Sequence, residues 1–178
     1  MREIEIKARL HDPKLVWEEL DRLGIEPSAT IVQRDLIFVA KPFRLRDINA
    51  SVSPVVRIRE EATGCTLTVK RDRTDQLDSI EYEVTVSDRD ATGSILDALG
   101  YHRVLEIVKR RRKFKLQEYS VCVDDVDRLG AFIEVEALVT EGAHVQNIRD
   151  AMWQLLSPFN VKQDDQVNRG YDRLLDDL

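Results

Sequence analysis

Residues 1–10 read Met1-Arg2-Glu3-Ile4-Glu5-Ile6-Lys7-Ala8-Arg9-Leu10, and the fold is decided by how that stretch is read. Glu3, Glu5 and Lys7 alternate with Ile4, Ile6 and Ala8. A period of two belongs to a β-strand with one charged and one apolar face. A single such strand is ordinary, because one face of an antiparallel sheet commonly meets water. Repetition makes it informative. Arg57/Arg59 in VVRIRE, Glu81/Glu83 in IEYEV and Glu134/Glu136 in FIEVEAL repeat the pattern. Looser versions surround Lys70 in LTVK, Lys109/Arg111 in VKRRRKF and Asp124 in YSVCVDD. A chain that sets ionisable groups on a common face of strand after strand is expected to line a cavity with them.

Further strands are expected over 31–40, 54–61, 65–71, 79–86, 102–114, 116–124 and 131–139, with Ala62-Thr63-Gly64 as a turn. The first helix is signalled by Asp12 as cap, Pro13 at the first helical position and Gly24 after the end. Others are expected over 91–99, 145–156 and 171–175, while the polar, aperiodic stretch 41–53 reads as a loop. Many antiparallel strands with a few helices indicate an α+β fold, most simply a closed or nearly closed barrel with helices packed outside. Ile4, Ile6, Val56, Ile58, Ile133 and Val135 would then face the helices, and the charged set would face inward.

At 178 residues with 43% hydrophobic content, one domain over 1–178 is expected. A net charge of -6 speaks against a general nucleic-acid binder. No apolar run is long enough for a membrane-spanning helix, and Met1 leads directly into a strand rather than a signal peptide. Cys65 and Cys122 make no disulfide framework. A cytoplasmic location is expected. His11, His102 and His144 share no ligand spacing.

The inward set holds Glu3, Glu5, Glu81, Glu83, Asp124, Glu134 and Glu136 with Lys7, Arg57, Arg59, Lys70, Lys109 and Arg111. An uncompensated buried ion costs several kcal/mol, so pairing, water and a charged ligand must offset these charges. Carboxylate clusters suit Mg²⁺ or Mn²⁺, while Arg and Lys suit phosphate oxygens. The combination implies a polyphosphate held with a divalent metal.

In these motifs the chain resembles the CYTH family of triphosphate tunnel enzymes, which includes class IV adenylyl cyclases and thiamine triphosphatases. Glu3-Ile4-Glu5-Ile6-Lys7 resembles its E-x-E-x-K signature. The likeness continues in order through QRDLIF (33–38), Arg46-Asp47, VVRIRE, LTVK, IEYEV, VKRRRKF, VDDVDRLGAFIEVE (123–136) and GYDRLL (170–175). The resemblance implies an eight-stranded antiparallel tunnel. It makes Glu3, Glu5, Asp124, Glu134 and Glu136 metal-ligand candidates, with Asp125 as the alternative to Asp124. Arg57, Arg59, Lys70, Lys109 and Arg111 would bind triphosphate. Lys7 would touch phosphate or assist proton movement, and Glu81 and Glu83 would organise the bases or a second metal. A homodimer is implied by the resemblance alone.

Substrates of this class are tripolyphosphate, thiamine triphosphate or ATP. Water attacking the terminal phosphorus gives a triphosphatase; a ribose 3′-hydroxyl attacking the α-phosphorus gives a cyclase, with cAMP and pyrophosphate as products. Class IV cyclases resemble one another in a His-Phe pair upstream of E-x-E-x-K, where this chain has Met1 and Arg2. Ile37 stands where the family often has Tyr, and Gly170 where Ser is common. The expectation leans to hydrolysis, with a cyclase and a catalytically inactive polyphosphate-binding barrel as alternatives. Glu5→Gln and Arg59→Ala are expected to abolish turnover and spare the fold.

Overall fold

Ile4 and Ile6 are fully buried in an outer core with Val16, Leu20, Met152 and Leu156, while Glu5 and Lys7 line the interior of a closed barrel. This is seen in a computed structural model, which describes residues 2–48, 53–75, 78–140 and 142–178. The strands are β1 (Arg2–Arg9), β2 (Ile31–Ala40), β3 (Val55–Glu61), β4 (Gly64–Asp75), β5 (Asp78–Val86), β6 (Tyr101–Leu116), β7 (Tyr119–Val126) and β8 (Gly130–Val139). They close antiparallel in the order β1-β5-β4-β3-β2-β6-β7-β8. The helices among the described residues are α1 (Lys14–Leu23), α2 (Arg89–Ala98), α3 (Val145–Leu156) and α4 (Tyr171–Asp176). The α+β barrel expected from the strand pattern is the fold observed.

Each helix covers a stretch of the barrel wall or its end. The apolar faces of α1 and α3 lie over β1, β7 and β8, through Val16, Leu20, Met152 and Leu156 against Ile4, Ile6, Val121 and Val135. Leu96 of α2 packs on Leu36, Phe38, Val56 and Ile58, the outward residues of β2 and β3. Asp12 accepts the Lys14 N–H at 3.1 Å, and Gly24, at φ 67°, takes the left-handed conformation that closes α1.

The sheet register itself pairs opposite charges. Lys7 stands opposite Glu134, Asp35 opposite Arg59, Lys70 opposite Glu81, and Arg111 opposite Asp124. Directly opposed side chains on one face are close enough to interact, so strand pairing and ion pairing reinforce each other.

Three features depart from the expectation. Residues 41–48 are not a bare loop: a 3-10 turn at Leu45–Asp47 buries Leu45 and Ile48, whereas 49–52 lie outside the described residues. The second helix starts earlier, at Arg89, because Asp88 accepts the N–H groups of Asp90 and Ala91. The interior is also not charged throughout. Ile37, Val39, Ile107, Val126 and Phe132 form an apolar cluster with Tyr171 and Leu175 of α4, which plugs one end of the barrel.

Candidate active site

The charged inner faces enclose a cavity of about 540 Å³. Glu3, Glu5, Lys7, Arg57, Arg59, Lys70, Glu81, Glu83, Lys109, Arg111, Glu134 and Glu136 all line it. Asp124 does not. It is fully buried behind Arg111 and Lys109, accepting Arg111 Nε at 2.7 Å and Lys109 Nζ at 3.2 Å. Asp125, the alternative, points outward to Arg110 and is exposed.

The carboxylates divide into two groups. One supports the bases. Glu134 meets Lys7 at 3.1 Å and also accepts from Arg111; the nearby Lys7, Arg111 and Lys109 charges overcome its burial and hold its carboxyl well below the usual range. Glu81 meets Lys70 at 3.2 Å and Arg57 at 3.8 Å. Burial works against its charge, but these cations hold it low. Glu83 accepts the Thr68 hydroxyl at 3.0 Å, and Arg57 reaches that hydroxyl at 3.3 Å.

The second group is Glu3, Glu5 and Glu136, which offer one oxygen each within 4.8 Å of one another. Burial and the charges of Glu136, Glu81 and Glu5 push the Glu3 carboxyl up to about 8. Burial also raises Glu136, with Glu134 and Glu5 adding to it against the pull of Arg111. Crowded carboxylates of this kind are hard oxygen donors whose repulsion a divalent cation would relieve, so the donor set fits Mg²⁺ or Mn²⁺.

Opposite them stand the bases. Arg59 holds Asp35 by two bonds of 2.7 Å, and Asp35 is only 3% exposed. Burial pushes the Asp35 carboxyl up, but the Arg59 guanidinium overrides it and brings the pKa down to about 2. Lys7 is disfavoured by burial yet kept above the ordinary lysine value by Glu5 and Glu134. Lys109 moves the other way, down to about 8, through burial and the neighbouring Arg111 charge. The Nε of Arg57 is buried without a hydrogen-bond partner among the described residues.

Sequence reasoning did not single out Asp35, Gln33, Glu61 or Tyr171, all of which join the interior network. Gln33 is fully buried and donates to Glu61 at 2.5 Å. Gln33 and Asp35 do keep the period-two spacing within QRDLIF, but the apolar run around them masked it. Tyr171 comes from a helix distant in sequence, and no local spacing announces it.

The CYTH domain family model matches residues 1–171. The chain belongs to the CYTH family. A Methanocaldococcus jannaschii relative named "Putative adenylate cyclase" is 28% identical over 175 residues, covering 96% of this CYTH chain and 97% of its own length. The PH1819 protein of Pyrococcus horikoshii is similar in structure, with a TM-score of 0.81, 25% identity and 98% of both chains covered. A Hippeastrum "Putative adenylyl cyclase", whose structure is described as revealing a dominant triphosphatase activity, shares the fold at a TM-score of 0.66. It is 19% identical over 98% of this chain and 94% of its own.

Proposed function

We propose that this CYTH barrel carries out divalent-metal-dependent phosphoryl transfer from a triphosphate, with water as acceptor and hydrolysis as the outcome. One observation carries the reading: the Glu3, Glu5 and Glu136 oxygens and the bases Arg57, Arg59, Lys70, Lys109 and Arg111 share one cavity inside the barrel. Phosphoryl transfer asks a protein mainly for positioning and charge stabilisation. At an effective dielectric of 20, a unit charge pair 4 Å apart is worth roughly 4 kcal/mol before desolvation, so several bases hold a polyanion firmly.

Glu3, Glu5 and Glu136 would hold Mg²⁺ or Mn²⁺, which neutralises phosphate charge and favours attack by an oxygen nucleophile. Lys7, clamped between Glu5 and Glu134 at 3.1 Å each, keeps its proton and serves as a fixed positive charge. Asp35, Glu81, Glu83, Asp124 and Glu134 set the directions of the bases, so that substrate meets guanidinium and ammonium groups already in place. A pure anion binder would gain nothing from three further carboxylates aimed into the same cavity.

Apart from Tyr171, whose ring is met by Lys7 and Lys109, the lining among the described residues offers no ring on which a base could stack, which favours a triphosphate whose recognition lies in its phosphates. Cyclisation of ATP is the second reading, favoured by the name of the M. jannaschii relative that aligns with nearly the whole chain. Incubation with Mg²⁺ or Mn²⁺ and tripolyphosphate, thiamine triphosphate or ATP, with phosphate, pyrophosphate and cAMP separated afterwards, decides between them. Phosphate release supports hydrolysis; cAMP with pyrophosphate supports the cyclase; three unchanged substrates end both.

A further inference from the structure

The plugged end of the barrel contains a tyrosine that the metal and phosphate patterns leave unused. Tyr171 opens α4, is 7% exposed and lines the cavity. Its ring centroid lies 4.4 Å from the ammonium of Lys7 and 5.0 Å from that of Lys109. Phe132 meets the ring at a 64° interplanar angle with centroids 5.0 Å apart, which fixes the plane. The phenolic oxygen is buried beside Glu134, and burial together with the Glu134 and Asp124 carboxylates holds the phenol protonated, well above the ordinary tyrosine range. The ring thus meets the two ammonium groups, while the hydroxyl faces the carboxylate that anchors Lys7.

An aromatic face attracts an ammonium group, most strongly where both are desolvated. Lys7 and Lys109 are drawn towards carboxylates, Lys7 to Glu5 and Glu134 at 3.1 Å and Lys109 to Asp124 at 3.2 Å. The ring supplies an attraction that is not a negative charge, so it steadies both cations without adding another carboxylate to repel an anionic substrate. The chain before Tyr171 is tied to the wall of the barrel. Val167 N–H donates to the Lys7 carbonyl at 2.8 Å, and Lys7 Nζ donates to the Arg169 carbonyl at 3.3 Å. After it, Arg173 donates to the Ile48 carbonyl at 2.8 Å.

We propose that Tyr171 is a positioning residue whose ring sets the ammonium groups of Lys7 and Lys109 for the triphosphate, a role that rests on the function proposed above. Proton NMR of the full chain tests the placement without substrate. The ε-methylene signals of Lys7 and Lys109 are expected upfield of the other lysines in the wild type and in Tyr171→Phe, and at ordinary positions in Tyr171→Leu. Ordinary positions in the wild type overturn the proposal, even if Tyr171→Leu does not fold. Steady-state assays with tripolyphosphate test the role: kcat/KM stays within about twofold in Tyr171→Phe and falls about tenfold in Tyr171→Leu, as the loss of two cation–ring contacts requires. Leu175→Ala, in the same apolar cluster but away from the lysines, lowers thermal stability and leaves kcat/KM within about twofold. A loss in Tyr171→Leu no greater than in Leu175→Ala overturns the role. A wild type that leaves tripolyphosphate, thiamine triphosphate and ATP all unchanged while showing the upfield signals ends the triphosphate reading and the role together, and leaves the ring–lysine placement standing.

Discussion

Replacing Asp35 by Asn should cost stability in a way that depends on pH. Asp35 is 3% exposed and doubly bonded to Arg59 at 2.7 Å. Its carboxyl moves from 3.8 to about 2 in the folded chain, and at 1.36 kcal/mol per unit that shift is worth about 2 kcal/mol. The folded pKa is depressed, so the contribution is present in full above pH 4, where the unfolded chain is ionised, and fades as pH falls through 2. Asn keeps one acceptor for Arg59 but turns an amide N–H₂ towards the other guanidinium donor. Urea unfolding of wild type and Asp35→Asn at pH 7 should differ by about 2–3 kcal/mol, the range for damaging a buried pair while retaining one bond. At pH 3 about half of the linked part should be gone. In melting temperature the pH 7 difference corresponds to a drop of about 5–10 °C for a chain of this size. Equal differences at both pH values, or none at pH 7, would refute the reasoning. The same pair revises one expectation: Arg59→Ala strands a buried carboxylate, and lower stability as well as lost turnover should follow.

Glu5→Gln keeps side-chain volume and removes one of the three clustered carboxylates; triphosphate turnover with Mg²⁺ or Mn²⁺ should fall at least about a hundredfold while circular dichroism stays unchanged. In metal-free protein Glu3 holds its proton up to about pH 8, more tightly than an unfolded chain does, so its contribution to folding is present below about 4.5 and is lost as pH rises through 8. Divalent cation should therefore raise the melting temperature more at pH 8 than at pH 5.5, and equal shifts by scanning fluorimetry would count against a Glu3-containing site. Met152→Ala empties a fully buried position outside the barrel; denaturant unfolding should show a loss of about 2–5 kcal/mol, with affinity for tripolyphosphate, measured by calorimetry, unchanged.

The barrel was legible because its strands keep a period of two over long runs. In β1, β3, β5 and β8 charges and apolar residues alternate over 3–8, 56–59, 80–84 and 133–137, and those runs supply many of the charged groups that line the cavity. What was less legible depends on contacts between distant segments. Asp124 and Glu134 are acidic residues on inner faces like Glu3, and only the register showed that they meet Arg111 and Lys7 instead of joining the Glu3, Glu5 and Glu136 cluster. Asp35 directly precedes a run of five apolar residues in β2, Leu36 to Ala40, so its interior role emerges only from the pairing with Arg59. The plug formed by Tyr171 and Leu175 against Ile37, Ile107 and Phe132 joins four separate stretches of the chain, and no local pattern encodes such a meeting. Residues 45–48 read as loop because their polar neighbours outnumber Leu45 and Ile48, yet those two side chains anchor the turn.

The central claim is that a triphosphate and its metal bind inside the barrel. A crystal grown with Mn²⁺ and tripolyphosphate, with anomalous data collected at the manganese edge, tests it most directly. The account predicts an anomalous peak among Glu3, Glu5 and Glu136, with phosphate density against Arg57, Arg59 and Lys70. Tripolyphosphate bound only on the outer surface, with the cavity free of manganese, would contradict it.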